Sequence, residues 1–76
     1  MAEADDELAA EKARLMARRE SLRARLEAIK QDIRQGLESD SEERATQLAN
    51  AEVLEAIARS TAEELERVEQ RLARLS

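Results

Sequence analysis

Four carboxylates crowd the middle of this 76-residue chain: Glu38, Asp40, Glu42 and Glu43, with no base until Arg44. Paired carboxylates do acid–base work where burial or a neighbouring charge drives their pKa values apart. These lie at the bend between two helical patterns, an exposed place with no pocket to shift them. Such a tip is suited to influencing a metal held by another protein, or to reaching into a positively charged channel. The chain has no Cys, no His and no aromatic residue. The usual ligands and bases of zinc, haem, iron–sulfur, thiol and imidazole chemistry are therefore missing. An enzyme is not expected, no catalytic residue is assigned, and no metal or other cofactor is anticipated.

The elements that carry the acidic bend follow from the apolar spacing. Leu8, Leu15, Leu22 and Ile29 recur every seven residues, and from Leu22 the series Leu22, Leu26, Ile29, Ile33 steps by 4, 3 and 4. That alternation is a coiled-coil seam. Upstream, Lys12 and Arg19 occupy the companion slots, from which long basic side chains snorkel to water. Beyond the bend the apolar positions read Leu48, Val53, Leu54, Ile57, Thr61, Leu65, Val68, Leu72 and Leu75. The eleven-residue step from Leu54 to Leu65 predicts a local relaxation of the supercoil near Thr61. Pairs Glu55–Arg59 and Glu63–Arg67 stand four apart in the order that favours a helix.

Gly36 reads as the left-handed residue that ends the first helix. Ser39-x-x-Glu42 and Asp40-x-x-Glu43 read as capping boxes that start the second. Acids in that first turn also suit the positive end of the helix dipole, which by itself explains much of the cluster. The expected architecture is all-α: an antiparallel two-helix coiled-coil hairpin in one domain spanning 1–76. Helix one covers about 4–35, the tip 36–41 and helix two about 41–75. Folding about residues 38–39 pairs positions whose numbers sum to roughly 77. Leu72 and Leu75 then face Asp5 and Ala2, a poor match. They become candidates for a base contact or an oligomer surface, with a homodimer through the base as one consequence.

Charge and composition remove other classes. No Pro, one Gly and an abundance of Ala, Glu, Arg and Leu exclude a sheet-based fold. The net charge of −5 is the wrong sign for a general phosphate binder, although Lys12 to Arg34 is locally basic. That run is broken by Glu20, Glu27 and Asp32 and reads as a solvated face, so direct nucleic-acid binding is not expected. No apolar stretch approaches the ~20 residues of a membrane span. The acidic N-terminus is unlike a secretory signal, which favours the cytoplasm.

The segment Asp40-Ser41-Glu42-Glu43-Arg44-Ala45-Thr46-Gln47 resembles the Asp-x-x-Asp-x-Ala tip signature of the DksA/TraR family, transcription factors that insert a coiled coil into the secondary channel of RNA polymerase. Ala51-Glu52-Val53-Leu54-Glu55-Ala56-Ile57 is similar to a stretch of shorter members. Glu63 to Glu69 and Leu72-Ala73-Arg74-Leu75 resemble the run that leads into the family's four-cysteine zinc finger. The resemblance implies that bacterial RNA polymerase is the partner and that Asp40 approaches the catalytic centre. It implies the same tip role for Glu43, one methylene longer than the family's second Asp. Ala45 matches the small residue that permits close approach, and Arg44 and Thr46 match its neighbours. Arg67 matches a basic position associated with the alarmone ppGpp. The zinc finger that completes that pocket has no counterpart in this cysteine-free sequence, so ppGpp binding is not expected. The sequence is then either a piece of a longer member or a member that lost the finger. The other reading is a structural coiled coil that mediates self-association or adaptor contacts.

Overall fold

Ala, Glu, Arg and Leu lose little freedom on entering a helix, and no Pro interrupts either pattern. Two long helices result: α1, Ala2–Leu37, and α2, Ser41–Leu75. The computed structural model describes the backbone of residues 2–37 and 41–76 and the side chains of residues 5–36 and 50–76. The helices fold back on one another as an antiparallel hairpin measuring 63 × 14 × 13 Å. This is the all-α coiled-coil hairpin expected from the heptads.

The seam is regular along both helices. On α1 the buried or half-buried series is Leu15, Arg19, Leu22, Leu26, Ile29, Ile33 and Gly36. On α2 it is Ala51, Leu54, Ala58, Thr61, Leu65, Val68, Leu72 and Leu75. Both alternate strictly between steps of three and four. The supercoil relaxation expected near Thr61 is therefore absent. Ala58 fills the slot that the large apolar residues had left open, and Thr61 is buried in its heptad place. Val53 and Ile57, read as seam residues from their type, point outward and are 61% and 45% exposed.

Among the described residues, three ion pairs across the hairpin fix the register. Glu11 pairs with Arg71 at 3.0 Å, Arg18 with Glu64, and Arg23 with Glu69 at 3.1 Å. The first two lie on one flank of the seam and the third on the other. In an antiparallel coiled coil such flanking pairs bracket the core layers symmetrically. The layers midway between them set Leu22 level with Leu65, Leu15 with Leu72, and Lys12 with Leu75. The expected pairing about residues 38–39 is thus displaced by ten positions. A 36-residue helix is about 54 Å long, so the 63 Å rod requires the same stagger.

That stagger corrects the reading of the hairpin's base. Leu72 and Leu75 do not face Asp5 and Ala2; both are half-buried beside α1. Leu8 lies beyond the level of Leu75 and is exposed. At the other end the opening turns of α2 run past the last turn of α1.

Polar seam positions are accommodated locally. The Thr61 hydroxyl donates to the Ile57 carbonyl at 2.8 Å, which satisfies it inside its own helix. Arg19 snorkels as anticipated, but its Nε is buried and has no hydrogen bond. Glu20 Oε1 lies 3.6 Å away, close enough for charge attraction and too far for a hydrogen bond. Gly36 is not the left-handed cap inferred from its type. It lies inside α1, is buried, and no described glycine has a positive φ. The layer that it forms with Ala51 carries almost no side-chain bulk. Glu55–Arg59 and Glu63–Arg67 form no ion pairs among the described residues. Exposed pairs of this kind gain little for the side-chain entropy they lose.

Candidate functional site

The opening turns of α2 stand at one end of the rod. α2 begins at Ser41, one residue after Asp40, and carries Glu43, Arg44, Ala45 and Thr46 in its opening turns. Asp40 and the side chains of these four lie outside the described residues. The helical backbone places Glu43 and Thr46 three positions apart, hence on neighbouring parts of one helix surface.

Behind the tip the hairpin changes character along one flank. Every seventh residue of α1 supplies Glu11, Arg18, Arg25 and Asp32, and every seventh residue of α2 supplies Arg71, Glu64, Ile57 and Asn50. Counted from the base, the first two rungs are closed ion pairs, Glu11–Arg71 and Arg18–Glu64. The register sets Arg25 beside Ile57 and Asp32 beside Asn50, and neither rung can close by charge. Arg25 and Asp32 have no ion pair among the described residues. At the fourth rung a shallow cleft of about 470 Å³ opens, lined by Asp32, Gln35, Gly36, Asn50, Val53 and Leu54. It exists because Gly36 offers no side chain to fill the space.

Sequence reasoning missed this flank because Val53 and Ile57 were assigned to the seam. The seven-residue row Glu11, Arg18, Arg25, Asp32 was the available signal, since its α2 counterpart turns from charged to uncharged at Ile57.

Residues 11–75 match the family model described as DnaK suppressor protein-like, N-terminal domain. The chain belongs to this DksA-like family. The match takes in α1 from Glu11 onward, all of α2, and the whole segment Asp40 to Gln47. No curated protein and no solved structure matches the chain. Within the DksA-like hairpin, Arg67 is exposed on α2, and Leu72 and Leu75 are half-buried. Among the described residues of this DksA-like chain, no helix is long and apolar enough to cross a membrane.

Proposed function

We propose that this hairpin is a regulatory finger that binds bacterial RNA polymerase and enters its secondary channel tip first. The observation that carries this reading is the family match over 11–75, which takes in the Asp40–Gln47 segment at the bend. The shape supports it: a rod 63 Å long and 14 × 13 Å across suits a deep, narrow opening. So does the acidity of the bend, which matches a channel lined by positive charge. Asp40 and Glu43 are the proposed contacts near the catalytic centre, Ala45 permits close approach, and Arg44 and Thr46 flank them. The role is regulation of transcription by contact with protein in the cytoplasm, without catalysis, cofactor or direct binding of nucleic acid.

The test is binding to bacterial core RNA polymerase, measured for the wild-type chain and for Asp40→Asn, with a competitor that occupies the secondary channel. Binding that the competitor displaces and Asp40→Asn weakens is expected. Binding that survives both would rule out entry by the tip.

A further inference from the structure

Arg25 and Asp32 stand seven residues apart on one face of α1, about 10 Å along the axis. Neither has an ionic partner among the described residues, although the two rungs nearer the base are closed. Between them lies Ala28, exposed and too small to hold a neighbour off. Alongside, α2 presents Ile57 at 45% and Val53 at 61% exposure. An apolar centre flanked by unmatched charges of both signs is the composition of a protein-facing surface.

The order of these groups is self-complementary. A two-fold axis across the rod at the level of Ala28 reverses the direction of a second copy. Arg25 of each copy then meets Asp32 of the other, Ala28 meets Ala28, and the Ile57 side chains approach one another at the centre. A two-fold interface must match its own reversed surface in this way. We propose that the hairpin self-associates, α1 against antiparallel α1, through this tip-proximal flank. The surface on each copy is Arg25, Ala28, Asp32, Val53 and Ile57.

The contact is confined to the half of one flank left open by the ion pairs, well below the ~800 Å² per partner of a standard stable interface. A weak dimer follows, with dissociation in the micromolar range or above. It does not depend on polymerase binding and does not use the base of the hairpin.

Sedimentation equilibrium on the full chain tests the proposal. The weight-average mass is expected to rise with concentration from 8.6 kDa towards twice that value. Ile57→Glu should weaken association at least tenfold. Arg25→Asp should do the same, because Asp would then face Asp32, and adding Asp32→Arg should restore it by exchanging the two charges. Met16→Glu, at a residue 50% exposed on the opposite flank, should leave association unchanged. Helix content by circular dichroism establishes that each variant folds, and all four positions are at the surface. The proposal is overturned if the mass stays at one chain up to millimolar concentration. Failure of the double exchange to recover association, or equal weakening by Met16→Glu and Ile57→Glu, also overturns it.

Discussion

Arg18 and Glu64 lie 46 positions apart and meet across the hairpin: Arg18 Nη2 donates to Glu64 Oε1 at 3.0 Å and also to Oε2. Together with Glu11–Arg71 on the same flank, this contact holds α1 and α2 in one register. Its side chains are 45% and 35% exposed, so solvent screens much of the attraction. Arg18→Glu should cost about 0.5–1 kcal/mol, since it sets like charges face to face. The double exchange with Glu64→Arg should recover most of that loss. Urea denaturation of the four chains gives the coupling, which should shrink in 1 M salt.

Leu22 and Ile57 are both large aliphatic residues on long helices, but the seam buries only one. Leu22 is 1% exposed and Ile57 45%. Leu22→Ala should destabilise the hairpin by about 2–5 kcal/mol, enough to unfold much of so thin a core. Ile57→Ala should change stability by less than about 0.5 kcal/mol. Thermal melts at a fixed low concentration compare the two. A large effect at Ile57 would show that the outward assignment is wrong.

Gly36 tests the difference between a cap and a seam residue. In a left-handed cap, Gly→Ala is costly; in a helix with negative φ, it stabilises by about 0.5–1 kcal/mol. Gly36 is helical and opens on the cleft beside Asn50 and Val53, where a methyl group has room. Gly36→Ala should therefore raise the urea midpoint. A fall of similar size would return this residue to the role of helix stop.

Thr61 is the polar member of an otherwise mainly apolar stretch of the α2 seam, and its hydroxyl bonds only to Ile57 of its own helix. Replacing it with Val keeps the shape and removes a group that no partner on α1 needs. Thr61→Val should stabilise the hairpin by up to about 1 kcal/mol, as read from denaturant unfolding. A loss of more than about 1 kcal/mol would mean that the hydroxyl serves the packing across the seam.

The sequence by itself determined that there are two helices folded as a hairpin, and which family they belong to. Local propensity and seven-residue spacing are properties of neighbours along the chain, so Leu22, Leu26, Ile29 and Ile33 could be assigned without a partner. The resemblance of Asp40 to Gln47 to the family's tip signature likewise rests on neighbours along the chain. Tertiary structure decided the register. A heptad seam looks alike after a slip of seven residues, so apolar matching leaves several alignments nearly equal. One heptad away, Glu11 would face Glu64 and Arg18 would face Ile57; in the observed register both rungs close. Small residues added to the ambiguity: Ala51 and Ala58 carry too little hydrophobic signal to announce themselves, but they hold seam positions that size alone had given to Val53 and Ile57. The exposed flank behind the tip follows from that choice, because only the pairing of two distant helices shows which charges are left without partners.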